Sequence, residues 1–267
     1  MSHAVSILVT TSIRPRRAQR LQAEEISRTL GLPYVSRSRE SLEALRRKSG
    51  AEAVVVVSRN RVGLVFAGRE FFFHPGLGKV RIRRIEAGKT DQMIQAMGLK
   101  AGDSVLDCTL GLGADALVAS HVVGAGGRVV GLEVVPVVAM LVRCGLENYA
   151  GGGPPAEAMR RVEVVTADHR EYLQALENDS FDVVYFDPMF RVPRHASSAM
   201  EPLRPLADAR ALDPESVGEA VRVARRRVVL KERAGSPEFE RLGFRRITGG
   251  RYSPVAYGII AKDGDEA

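Results

Sequence analysis

The sequence predicts an α/β protein, a doubly wound, mostly parallel sheet preceded by a small α/β domain. Three observations carry this. Ser104-Val-Leu-Asp107 is a short apolar run ending in an acid, and it leads through Gly111 and Gly113 into small and apolar residues, the pattern of strand, glycine loop and helix. From residue 90 onward such apolar runs alternate with helical segments, the order of βαβ units. A second apolar strand, Phe181-Asp-Val-Val-Tyr-Phe186, ends in Asp187-Pro188-Met189-Phe190. Ligands of open α/β sheets sit where the strands end, because glycines admit close backbone approach and a helix start presents free N–H groups.

Taken in order, residues 5–12 alternate as a strand, and Pro15 opens a helix to about residue 30 with Ala18, Leu21, Ile26 and Leu30 near one face. Arg14, Arg16, Arg17 and Arg20 crowd its start. Cations there oppose the helix dipole, so an anion bound by them explains them better than helix stability does. Gly31 stops the helix, a short helix follows over 41–48, and strands follow at 53–57 and 62–67 with a third at 70–73. Residues 1–75 therefore read as a small basic domain. The basic stretch 76–89, with Lys79, Arg81, Arg83 and Arg84, reads as an irregular linker or groove-lining segment between domains.

Thr90 is expected to cap a helix over 91–97 that Gly98 ends. After the glycine loop, 128–132 is a strand ending at Glu133, 134–149 is helical, 151–155 is a surface loop, and 161–165 is a strand running toward Asp168. Residues 191–210 are long for a connection and form a candidate substrate flap. A helix over 213–224, a strand at 227–231 and two last strands near 244–248 and 255–261 complete the larger domain, 90–262, before the short acidic tail 263–267.

Composition bounds the function. A chain of 267 residues with 45% hydrophobic content builds a normal core. It contains no run of eighteen apolar residues, and its N-terminus shows neither a charged leader nor a cleavage site, so no membrane role and a cytoplasmic location are expected. Cys108 and Cys144 are too few for a disulfide framework and lack metal-ligand spacing, so no metal is expected. Charge is uneven: residues 1–97 hold 18 Lys and Arg against 8 Asp and Glu, a net +10, while the rest holds 21 against 24, a net −3. Such a basic half suits a polyanionic partner, most naturally nucleic acid, although a solvated surface would show the same excess.

The glycine loop admits two cofactors. Gly111, Gly113 and Ala116 fit G-x-G-x-x-A, and Glu133 ends the next strand as the ribose-binding acid of a dinucleotide enzyme would. Asp107, however, lies inside the strand, where hydride transfer needs no carboxylate, whereas the ammonium and sulfonium of S-adenosylmethionine (SAM) reward nearby negative charge. The tetrad at Asp187 resembles the D-P-P-Y/F loop of class I amino-methyltransferases. Together they rank methyl transfer above hydride transfer.

Leu106-Asp-Cys-Thr-Leu-Gly-Leu-Gly-Ala-Asp115, Cys144-Gly-Leu-Glu147, Val184-Tyr-Phe-Asp-Pro-Met-Phe190, Ser197-Ser-Ala-Met200 and Arg227-Val-Val-Leu-Lys-Glu232 resemble, in order and spacing, the bacterial small-subunit ribosomal RNA guanine-N2 methyltransferases of the RsmJ type. The resemblance covers about 90–235 and implies a seven-stranded Rossmann-like methyltransferase sheet with an antiparallel last strand. The chain departs from that family in its N-terminal domain, in Arg191 and in Ser197-Ser198-Ala199. Val9-Thr-Thr-Ser-Ile-Arg-Pro15 is also similar to the start of Brix domains, which implies contact with ribosomal RNA.

On this reading Asp107 lies near the methionine amino group, Gly111 and Gly113 under the methionine and ribose, Glu133 at the ribose hydroxyls and Asp168 at the adenine amine. The resemblance adds Asp115. Asp187 and the Pro188 carbonyl accept the two N–H bonds of an exocyclic amine, and Phe190 stacks on the extruded base. Arg14, Arg16, Arg17 and Arg20, with Arg191 and Arg194 of the flap, are the candidate RNA contacts. The rival readings are a methyltransferase-like RNA-binding protein without turnover and a methyltransferase of protein or small molecules.

Overall fold

The computed structural model describes residues 5–188 and 210–265, which fold as two units. The first holds the chain up to His74 together with Val135–Asn148. It contains β1 (Ile7–Thr11), α1 (Arg17–Leu30), α2 (Leu42–Ser49), β2 (Ala53–Val57), β3 (Val62–Phe66) and β4 (Arg69–Phe72), with the strands in the order β1-β2-β3-β4. β1 pairs parallel with β2, and the other pairs are antiparallel. β2 is buried at every residue, as an uninterrupted Ala-Val-Val-Val-Val run in a central strand should be. Helix α1 buries Ile26 and half-buries Leu30 of the expected face, but Gln19 and Ala23 complete the inward face, while Ala18 is exposed and Leu21 is 54% exposed. Hydrogen bonds keep Gln19 there, its Nε2 donating to Ser12 Oγ and its Oε1 accepting the Arg16 backbone N–H. A helix from Pro136 to Glu147, α6 in chain order, packs on β3 and β4. Gly145 makes that approach possible, since a Cβ there would lie 2.0 Å from Cβ of Phe73.

The second unit carries a seven-stranded sheet in the order β10-β11-β9-β8-β5-β6-β7, comprising β5 (Ser104–Asp107), β6 (Arg128–Glu133), β7 (Val162–Thr166), β8 (Phe181–Phe186), β9 (Ala224–Arg233), β10 (Arg246–Thr248) and β11 (Val255–Ala261). β7, β6, β5, β8 and β9 run parallel, and β11 and β10 close the sheet antiparallel. This is the fold class expected.

Its helices are α3 (Gly76–Glu86), α4 (Gln92–Met97), α5 (Ala114–Val123), α7 (Pro154–Arg161), α8 (His169–Ala175), α9 (Pro214–Val223) and α10 (Glu238–Arg241). Three of these correct the sequence reading. Residues 76–86 of the 76–89 stretch form helix α3 rather than an irregular segment, and it packs on α5, where a Cβ on Gly78 would lie 3.0 Å from the Leu117 side chain. The expected loop 151–155 already enters α7 at Pro154. Asp91, not Thr90, caps α4 by accepting from the N–H groups of Met93 and Ile94. The core on one sheet face joins Leu106, Val184, Phe186, Val228 and Leu230 to Leu173, Val217 and Phe239 of the helices. At the N-terminal edge, Ser104 and Asp182 exchange three hydrogen bonds of 2.6–2.9 Å, locking β5 to β8. The 263–267 stretch, read as an acidic tail, contributes Asp265, which pairs with the buried guanidinium of Arg227.

Candidate active site

Every acid singled out on the strands of the second unit lies at the C-terminal edge of its parallel strands or just beyond it. β5 ends in Asp107 and β6 in Glu133; Asp168 follows β7 and Asp187 follows β8. Between β5 and α5 the chain turns through Gly111 (φ 51°) and Gly113 (φ 74°), both left-handed, a conformation that costs little only for glycine. Gly113 starts α5 with no side-chain cap, so the first turn of that helix offers N–H groups to the loop.

Asp107 is only 2% exposed and accepts the Thr109 N–H at 3.0 Å. It forms no ion pair among the described residues. Burial pushes its carboxyl up to about 8, reinforced by the charges of Asp115 and Asp187. Glu133 Oε2 accepts the Gly111 N–H at 3.2 Å, tying the end of β6 to the glycine loop. Asp168 caps α8 through the Arg170 N–H and pairs with Arg210 at 2.7 Å; against the opposing effect of burial, these partners hold its carboxyl below the usual range.

The rest of the site is an ion network built around Asp115, in the first turn of α5. Its Oδ1 accepts from Arg81 of α3, and its Oδ2 accepts from the Tyr185 hydroxyl and from Lys231 Nζ, each at 2.8 Å. Lys231 Nζ also donates to Asp187 Oδ2 at 2.6 Å. Arg81 continues the network with a two-pronged pair to Asp91 at 2.7 and 2.8 Å. Asp187 is further held by its backbone N–H, which donates to Thr109 Oγ1 at 2.6 Å, and its Oδ1 accepts from no described donor. The side chains of Asp187 and Lys231 retain 28% and 21% exposure, so the pair faces the open edge. Burial raises Asp187 to about 6 even with Lys231 beside it, whereas Lys231 and Arg81 outweigh burial at Asp115 and hold it well below the carboxylate range. The two carboxylates in turn hold Lys231 firmly protonated, outweighing the burial that would discharge it.

Sequence reasoning missed Lys231, Tyr185, Arg81 and Thr109. Lys231 had a visible signal, a lysine closing the apolar run Val228-Val-Leu230. Its partner could not be read, because it depends on the register that sets Phe186 beside Leu230 and so Asp187 beside Lys231. Pro188 is half-buried beside Asp187, while Phe190, Arg191 and Arg194, with nearly all of the expected flap, lie outside the described residues. Arg14, Arg16, Arg17 and Arg20 are all exposed, Arg14 with φ 55°, and the first turn of α1 contains no acid. Among the described residues no group of His, Cys, Asp and Glu could hold a metal ion, and no helix is long and apolar enough to cross a membrane.

Known proteins resemble this chain in sequence, and a solved structure shares its fold. A family model for SAM-dependent methyltransferases matches residues 45–242. The Bacillus subtilis protein YpiP is 42% identical over 95% of this chain and 98% of its own. Two proteins named ribosomal RNA small subunit methyltransferase J are similar as well. The one from Dechloromonas aromatica is 33% identical over 78% of this chain and 89% of its own. The one from Thioalkalivibrio sulfidiphilus is 36% identical over 55% of this chain and 58% of its own, so the match spans little more than half its length. The crystal structure of a SAM-dependent methyltransferase from Neisseria gonorrhoeae shares the fold, with a TM-score of 0.66 over 97% of both chains at 19% identity.

Proposed function

The chain belongs to the family of SAM-dependent methyltransferases, and from that premise we propose that it methylates an exocyclic amine of a base in RNA, with ribosomal RNA as the substrate and guanine N2 as the acceptor. S-adenosylmethionine is its cofactor.

The residues fit that cofactor. Asp107, a buried acid in no ion pair among the described residues, suits an ammonium or sulfonium, and Glu133 at the adjoining strand end suits ribose hydroxyls. Asp168 is assigned to the adenine amine. Both oxygens of Asp115 are taken by protein donors, which fits a role in holding Lys231 rather than one in touching cofactor. Bound there, the cofactor supplies an electrophilic methyl group on a cationic sulfur.

The observation that carries the reaction type is the way Asp187 is held. Its backbone N–H is anchored by Thr109 and its Oδ2 by Lys231, and among the described residues no donor reaches Oδ1, the oxygen assigned to an incoming N–H at the edge next to Asp107. An exocyclic amine is a poor nucleophile because its lone pair is delocalised into the ring. Asp187 Oδ1 and the Pro188 carbonyl, accepting its two N–H bonds, turn the lone pair toward the methyl donor and stabilise the positive charge that grows on nitrogen. The proton of the product leaves to water, so no buried base is needed. Phe190 is assigned to stacking on the base, and Arg14, Arg16, Arg17, Arg20, Arg191 and Arg194 to RNA phosphates.

The two relatives named as ribosomal RNA methyltransferases and the basic N-terminal residues support RNA as the substrate. The test is to offer the protein SAM labelled on the methyl group together with transcribed small-subunit ribosomal RNA, a protein mixture and a small-molecule extract. Label is expected in RNA. Label in protein or small molecules alone would overturn the proposal while keeping the cofactor.

A further inference from the structure

β10 and β11 form the antiparallel end of the second unit's sheet. Their register pairs Val255 with Arg233, the last residue of β9, so the turn 249–254 rises from the same sheet edge as Asp107, Glu133 and Asp187. β11 is two strands from β8, roughly 10 Å at ordinary strand spacing.

At the tip of this turn Tyr252 is 89% exposed. Its contact is the guanidinium of Arg251, 5.6 Å from the ring centre. The turn beneath it is supported. Ser253 N–H donates to the Gly250 carbonyl at 2.8 Å, the Ser253 hydroxyl donates to the Val255 carbonyl at 2.7 Å, and Gly250 lies so close to Gln92 that a Cβ would be 2.2 Å from its Nε2. Residues 245–261 contain three arginines, Arg245, Arg246 and Arg251, and no acid, and all three are exposed. An aromatic ring left in water gains nothing from folding. Displayed beside a cation on a segment free of acids, it has the makeup of a platform for unpaired nucleotides, on which a base stacks while a guanidinium group meets the phosphates.

We propose that the β10–β11 turn is a second RNA contact, with Tyr252 stacking on an unpaired base that flanks the methylated nucleotide. This rests on RNA being the substrate and adds that the target lies in a single-stranded stretch.

The chain contains no tryptophan, so Tyr252→Trp creates a single indole that can be excited selectively over the tyrosines. Unstructured RNA of about twelve nucleotides, and a duplex of the same length, are titrated into this variant, while anisotropy of the labelled RNA follows binding to wild type, Tyr252→Ala and Tyr252→Phe. The single strand is expected to quench the introduced indole over the concentration range of binding, and the duplex to quench it little. Tyr252→Ala should lose about ten-fold in single-strand affinity and Tyr252→Phe should keep it, with S-adenosylhomocysteine binding equal in all. Wild-type RNA binding with unquenched fluorescence and an unaffected Tyr252→Ala would overturn the turn contact alone. Absence of RNA binding by wild type would overturn it together with the RNA reading.

Discussion

Asp107 and Asp187 stand at the ends of adjacent strands, yet their environments assign them different work. Asp107 makes no ion pair among the described residues, and burial raises it to about 8 although the charge of Lys231 pulls the other way, so on the proposed reading it is largely protonated at neutral pH until a cationic ligand arrives. Cofactor binding at pH 7 should therefore release close to one proton, measured by calorimetry of SAM in buffers of different ionisation enthalpy. Asp107→Asn should abolish that release and weaken binding. A carboxyl raised on folding makes the native state lose stability as pH climbs from the ordinary aspartate range toward 8. Asp107→Asn should accordingly melt higher than wild type at pH 8, with the gain fading near pH 4.

In the proposed mechanism Asp187 accepts the amine N–H as a carboxylate, and its position near 6 means that methyl transfer should then fall as pH drops through that value. Lys231→Met leaves Asp187 and Asp115 facing each other without their shared cation, and should move this acid limb upward. Lys231→Arg should restore most of it, and the pH dependence of methyl transfer to RNA reads both. The acids themselves were legible in the sequence, because each follows an apolar run at a strand end. Lys231 was not, since a cation 44 residues away in sequence is joined to Asp187 only by strand register.

At the scale of elements, the strands with unbroken apolar runs, such as β2, were readable from composition alone. α3 was not: glycines at 76 and 78 and the cations Lys79, Arg81, Arg83 and Arg84 blur its periodicity, and its reason to be helical is its packing on α5. The buried face of α1 was only partly foreseen, for a related reason. Gln19 turns inward because Ser12 and the Arg16 N–H give it partners, so polarity did not predict exposure. The contact between α6 and Phe73 yields a prediction at this scale. Gly145→Ala inserts a methyl where no space exists, and should cost about 1–3 kcal/mol in urea unfolding of the full chain. Unchanged stability would mean that α6 is not held against Phe73.

For the molecule as a whole, the sequence divides its charge between a basic N-terminal stretch and a nearly neutral remainder. Reversing charge at Arg16, Arg17 and Arg20 should weaken RNA binding and flatten its salt dependence, by about 0.7 in the log–log slope for each single-strand phosphate no longer neutralised, without changing S-adenosylhomocysteine affinity. The doubly wound sheet was foreseen, because alternation of strand and helix is a local pattern repeated along the chain, whereas the antiparallel last strand was expected only from the family resemblance. Which helix packs on which sheet was not, and the return of α6 to the N-terminal strands has no local signature.

Whether Asp187 directs SAM-dependent methylation of a base amine in RNA can be read by nucleoside mass spectrometry of small-subunit ribosomal RNA, after reaction with deuteromethyl-labelled SAM and either wild type or Asp187→Ala. Wild type should yield labelled N2-methylguanosine. Asp187→Ala should still bind S-adenosylhomocysteine but lose on the order of 3 kcal/mol of transition-state stabilisation, a rate lower by roughly a hundred-fold or more. No labelled nucleoside from a wild-type protein that binds S-adenosylhomocysteine, or equal labelling by the variant, would refute the role assigned to Asp187.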